Sequence, residues 1–110
     1  MLKVSVPYGE EIIETISRAA RDSGISNGVI VTLIGMVDSC AVSCMDKSDH
    51  KIDIITEYQQ PLELCGLGEI NAGVVHIHAV LGAQGNSSIT GHLVRAHAGA
   101  SPTNAYVIPQ

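Results

Sequence analysis

Apolar and polar residues alternate from Leu2 to Val6, and Pro7-Tyr8-Gly9 ends the alternation, which predicts a first strand and a turn. From Glu10 the period changes. Ile12, Ile13, Ile16, Ala19 and Ala20 recur at helical spacing, with Glu10, Glu11, Glu14, Arg18 and Arg21 on the opposite side. Acids early and bases late suit the helix dipole, and Gly24 is a natural C-terminal stop. After Asn27-Gly28 the pattern is β to the end of the chain. Val29 to Met36 forms a near-continuous apolar run, as in a buried strand, and Asp38 to Met45 alternates as a second one. The polar turn 46–50 leads into a strand from Ile52 to Tyr58, and Pro61 separates this from Leu62 to Ile70. Asn71-Ala72-Gly73 makes the next turn, followed by Val74 to Leu81, the glycine-bearing loop 82–86, and Ser87 to Arg95. Gly99 to Pro102 interrupts before a last strand, Ala105 to Ile108. One helix followed by about seven short strands implies an α/β (α+β) fold in a single domain spanning residues 1–110. The sheet should be mainly antiparallel, with the principal helix packed on it.

The strand Val74–Leu81 changes the picture from fold to chemistry. Its odd positions, Val75, Ile77, Ala79 and Leu81, are purely apolar, while His76 and His78 project together from the other face. Their Cα atoms stand ~6.5 Å apart, a span that two imidazoles can close onto one ion. His92 lies on the following strand, and its place depends on hairpin register. A turn centred on Gln84 sets His92 opposite His76, and one centred on Gly85 sets it opposite His78. Opposed residues share a face with Cβ atoms ~5 Å apart, so either register gathers three imidazoles. The intermediate half-step register sends His92 to the other face. Three neutral imidazoles suit Zn²⁺, with Ni²⁺, Co²⁺, Fe²⁺ or Cu²⁺ as alternatives, and leave a fourth position for water or ligand. The competing reading is three half-buried histidines that hydrogen-bond locally. His50 in its polar turn and His97 beyond the hairpin read as surface residues.

Around this cluster the other candidates are weaker. Glu63 and Glu69 share strand parity with Cys65 and Leu67, and Glu63 is the candidate general acid or base. Arg95, the only basic residue after Lys51, is the candidate anion contact, with a salt bridge as the competing and favoured reading. Gly66-x-Gly68 lacks the following helix that cradling a phosphate requires.

Composition and charge narrow the function classes. Hydrophobic residues make up 45% of the 110, yet aromatics only 3%, so the core must be aliphatic. So short a chain gains from burying further apolar surface in an oligomer. The net charge is −5 and the six basic side chains are dispersed, without the patch that duplex DNA demands. Three cysteines without CxxC spacing read as small hydrophobes in a reducing compartment, although Cys40 and Cys44 share parity and a soft-metal role stays open. The first ten residues turn acidic where a signal peptide needs an apolar core, and no apolar run approaches the ~20 residues of a membrane span. A cytoplasmic protein without membrane contact is expected.

Several blocks together carry a family resemblance. They are Gly9-Glu10 opening a helix that closes at Asp22-Ser23-Gly24-Ile25, Gly28-Val29-Ile30 through Gly35, and Pro61-Leu62-Glu63-Leu64 with Gly66. His76-Ile77-His78 with Gly82, Thr90-Gly91-His92-Leu93 and Ala100-Ser101-Pro102 complete the set. In order and spacing the chain resembles the plants-and-prokaryotes-conserved domain family (PPC, also PCC) over nearly its whole length. The resemblance implies an α/β fold with a mainly antiparallel sheet, assembled as a homotrimer. In plant members the domain accompanies AT-hook segments, which bind DNA; this chain has no Arg-Gly-Arg-Pro. Prokaryotic members commonly keep the HxH and GHL histidines, which makes His76, His78 and His92 the matching positions. Thr90 before Gly91 departs from the family's two glycines. The expectation is therefore a homotrimeric metalloprotein, with zinc or another divalent transition metal, acting on a small carbonyl- or carboxylate-containing metabolite. The alternative is a DNA-associated or protein-interaction module.

Overall fold

A computed structural model describes residues 1–110. The elements follow in the order β1 (Leu2–Val6), α1 (Ile12–Asp22), β2 (Gly28–Met45), β3 (Asp53–Tyr58), β4 (Leu62–Asn71), β5 (Val74–Ala83), β6 (Ser87–Ala98) and β7 (Thr103–Pro109). All strand pairings are antiparallel, and the seven strands form one sheet with α1 against it, as the periodicity predicts.

The helix forms where the apolar spacing demands it. Ile12, Ile16 and Ala20 are buried, and so is Thr15, whose hydroxyl donates to the Glu11 carbonyl at 2.7 Å. Glu11 caps the N-terminus: its carboxylate accepts from the backbone N–H groups of Glu14 at 2.8 Å and Ile13 at 3.2 Å. The same carboxylate accepts from the Ala96 N–H at 2.9 Å, which ties the start of the helix to β6. At the other end the N–H groups of Ile25 and Gly24 donate to the carbonyls of Ala20 and Arg21, the crossed pair of a Schellman close. With 11 residues, α1 is not long and apolar enough to cross a membrane.

The expected strands Val29–Met36 and Asp38–Met45 are one continuous strand of 18 residues. No glycine, proline or turn sequence stands at Val37-Asp38, so the chain has no means of reversing there. It bends instead. Irregularities in pairing fall at Ile30–Leu33 against β4, at Ile30–Thr32 against β7, and at Val37–Ser39 and Ala41–Val42 against β6. The two halves of β2 therefore serve different neighbours. The first half pairs with β4 and β7, the second with β6 and β3. Because β4 pairs with β5 and β5 with β6, the sheet closes on itself through β2.

Inside lies an aliphatic cluster of 22 residues, among them Ile12, Ile16, Ile30, Leu33, Leu62, Ile70, Ile77, Leu81 and Leu93. No aromatic side chain is in it, and Tyr58 only packs against its edge. β5 shows the pattern most cleanly: Val75, Ile77, Ala79 and Leu81 are buried, and His76, His78 and Val80 face out.

Candidate functional site

Hairpin register decides whether the histidines meet. β5 and β6 are joined by a tight turn at Gln84–Asn86, and the pairing runs from Ala83 opposite Ser87 to His78 opposite His92. The turn is thus centred on Gly85, the register that sets His92 against His78. Two glycines allow the strands to close around the cluster. A Cβ on Gly91, beside His92, would come 2.6 Å from the Ser43 carbonyl oxygen and 2.9 Å from Cys44 Sγ, so only glycine lets β6 lie this close to β2. Gly68 likewise sits where a Cβ would overlap the His76 carbonyl, which gives the Gly66-x-Gly68 pair a packing role in the tightly coiled β4–β5 ladder.

The three imidazoles converge. Ring centroids of His76 and His78 are 4.9 Å apart, those of His76 and His92 are 4.8 Å apart, and those of His78 and His92 are 6.3 Å apart. One ring nitrogen from each lies within 4.8 Å of the others. The His78 ring stands edge-on to both of the others, and those of His76 and His92 are tilted by 48°. None takes a side-chain hydrogen bond from the protein; the histidine that does is His97, facing Ser39 at 3.4 Å. Local hydrogen bonding therefore does not account for the cluster. The rings form one wall of a cavity of about 570 Å³, whose other walls are Ser43, Cys44, Met45, Gly91 and Asp53. Burial holds the His92 imidazole below the usual histidine range, positive charge on His76 and His78 acts in the same direction, and the Asp53 carboxylate opposes them. The structure thus favours a neutral His92, the form that offers a lone pair.

Glu63 and Arg95 stand elsewhere. Glu63 pairs with Gly82 on the same face as the histidines, but four residues along β4 from Leu67, the partner of His78, which is roughly 13 Å at strand rise. It lines a separate groove with Gln60 and Gln84. Arg95 forms an ion pair with Glu57 of β3, both about half exposed. His50 and His97 are exposed, as expected. Of the cysteines only Cys40 is buried, and burial pushes its thiol up; Cys44 and Cys65 are exposed. Cys44 donates to the Thr90 carbonyl at 3.3 Å and reaches the cavity. Sequence reasoning missed Ser43 and Asp53. Ser43 is opposite His92 and Asp53 is opposite Met45; the pairing of β2 with β6, which brings both to the histidines, was not read from the sequence.

The fold and the site define a class: a closed antiparallel sheet with one helix, presenting three converging histidines at an outward-facing cavity. The chain belongs to the Plants and Prokaryotes Conserved (PCC) domain family, whose family model matches residues 2–109. It is similar in fold to a plant- and prokaryote-conserved protein from Pyrococcus horikoshii, at a TM-score of 0.82 and 21% identity, covering 99% of this chain and 79% of that one. A candidate DNA-binding protein from Ralstonia eutropha JMP134 superposes at a TM-score of 0.84 and 18% identity, covering 98% of this chain and 76% of that one. A metal-containing protein from Archaeoglobus fulgidus gives a TM-score of 0.80 at 26% identity, covering 98% and 77% of the two chains. No curated protein matches.

Proposed function

We propose that this chain is a metal-binding member of the PCC family in which His76, His78 and His92 hold a divalent transition ion, zinc being the ion their chemistry suits best. One observation carries the reading: three imidazole nitrogens within 4.8 Å of each other, without protein hydrogen-bond partners, on the wall of an open cavity. The donor set fits the ion. All three ligands are neutral nitrogen donors, no lysine or arginine lines the cavity to repel a cation, and a protein of similar fold is called metal-containing. Such an ion, held by His76, His78 and His92 on an open cavity, would supply Lewis acidity toward a carbonyl or carboxylate oxygen of a small metabolite. Within one subunit neither Glu63 nor Arg95 reaches that cavity, so holding the ion falls to the histidines alone.

The same face supports assembly. Val31, Ile34, Leu67 and Val80 are 48%, 57%, 62% and 43% exposed, and Leu67 and Val80 flank His78 on the outward side. Large apolar side chains gathered on one face mark an interaction surface, and the homotrimer implied by the family resemblance would cover it.

Titration of metal-free protein with Co²⁺ tests the metal reading. The visible bands should rise to a plateau at about one ion per subunit, with intensities typical of four-coordinate nitrogen ligation. His78→Ala should lose the bands while circular dichroism stays native. A folded wild type that yields no bands contradicts the reading.

A further inference from the structure

Among the acidic side chains near the histidines, Asp53 occupies a distinctive place. It opens β3 and pairs with Met45, two residues beyond Ser43, which itself pairs with His92. Opposed residues share a face, so Asp53, Ser43, His92 and His78 follow one another across four adjacent strands on the same side of the sheet. The carboxylate lines the histidine cavity and is the only formally charged side chain there. It is also unpaired. The chain's ion pairs are Arg18 with Glu10 and Arg95 with Glu57, and no hydrogen bond engages the Asp53 side chain. The other candidates differ in these respects: Glu57 is bound to Arg95, Glu63 lines another groove, and Glu69, opposite His76, lies outside the cavity.

Asp53 is not itself one of the converging donors, because the set within 4.8 Å comprises the three histidines alone. It nonetheless lines the same cavity as the three rings. Three neutral imidazoles leave the full charge of a divalent ion uncompensated, and a nearby carboxylate with free lone pairs supplies the missing anion. We infer that Asp53 is a positioning residue of the histidine site: its carboxylate offsets the charge of the bound cation and accepts a hydrogen bond from a donor group entering beside it. The inference rests on the three-histidine reading and adds a fourth, charge-bearing member drawn from a different hairpin.

Zn²⁺ affinity measured by competition with a chromophoric chelator tests it, using the full chain, with Co²⁺ absorption as a second readout. Asp53→Asn should weaken Zn²⁺ binding about 10-fold, the scale of losing a nearby carboxylate's attraction for a divalent cation at an exposed site. It should leave the Co²⁺ band positions close to wild type, because the ligands are unchanged. Asp53→Glu, which keeps the charge, should retain most of the affinity. Glu14→Gln, an equal loss of charge on the exposed side of α1, should change nothing. Equal affinities for wild type and Asp53→Asn overturn the role of Asp53 while the histidine site stands. Loss of affinity in both Asp53→Asn and Asp53→Glu, with a lowered melting temperature, also overturns it, since the residue then serves the fold. A wild type that binds neither ion removes the histidine site and this inference with it.

Discussion

At the scale of single residues, the histidines are held by what they do not touch. Each sits on a strand whose alternate side chains are sunk in the core, so the backbone fixes the direction of the ring while the ring itself is free of protein hydrogen bonds. For His92 the consequences can be measured. Burial and the two neighbouring imidazoles lower its affinity for a proton in the folded chain, and Asp53 only partly offsets this. In metal-free protein the His92 ring should therefore titrate, by NMR, below the ordinary histidine value of about 6.5. A group whose pKa is depressed by folding adds stability above its unfolded value, and that contribution fades as the pH falls through the depressed one. Urea midpoints of metal-free protein should accordingly drop on acidification through this window, and His92→Gln should flatten the drop. A His92 that titrates at or above the ordinary value would contradict this part of the account.

At the scale of elements, the hairpin β5–β6 and the bent β2 make the site. Alternation along Val74–Leu81 was enough to show which residues of β5 face inward, because a two-residue period leaves no other choice once the apolar set is known. Register was legible only as a set of alternatives, centred on Gln84, on Gly85 or on the half-step between them, which sends His92 to the other face. The two whole-residue registers bring the histidines together, and the tight turn at Gln84–Asn86 selects Gly85. The continuity of β2 was not legible. An irregular strand in which the facing pattern slips by one residue looks like two strands to any reading based on a fixed period. Ser43 and Asp53 were missed for a different reason: they enter the cavity because the second half of β2 lies between β6 and β3, a long-range pairing that periodicity does not reveal. Gly91 offers a test at this scale. Valine there would meet the Ser43 carbonyl and Cys44 Sγ within 3 Å, which forces β6 away from β2. Gly91→Val should cost about 1–3 kcal/mol by chemical denaturation and should weaken metal binding by displacing His92. Unchanged stability and metal affinity would mean that close approach of the two strands does not position the ring.

Taken as a whole, the molecule separates two kinds of surface. The helix covers one part of the closed sheet, while the histidine-bearing side exposes Val31, Ile34, Leu67 and Val80. The aliphatic composition, read from the sequence as favouring an oligomer, acquires a location on this side. Light scattering should return about three times the mass of the 11.5 kDa chain. Leu67→Arg, which places a charge in the middle of the apolar side, should reduce that mass to a single subunit without unfolding it; a monomeric wild type would refute the trimer. With a charge of −5 and dispersed bases, the chain is expected to show no salt-sensitive retention on DNA at low ionic strength.

The claim on which the rest depends is that the three histidines hold an ion, and elemental analysis of the protein purified without chelator tests it most directly. Wild type is predicted to carry about one transition-metal ion per subunit, chiefly zinc, and His78→Ala close to none at the same fold. A natively folded wild type that carries no metal, and takes up none when zinc is supplied, would contradict the account.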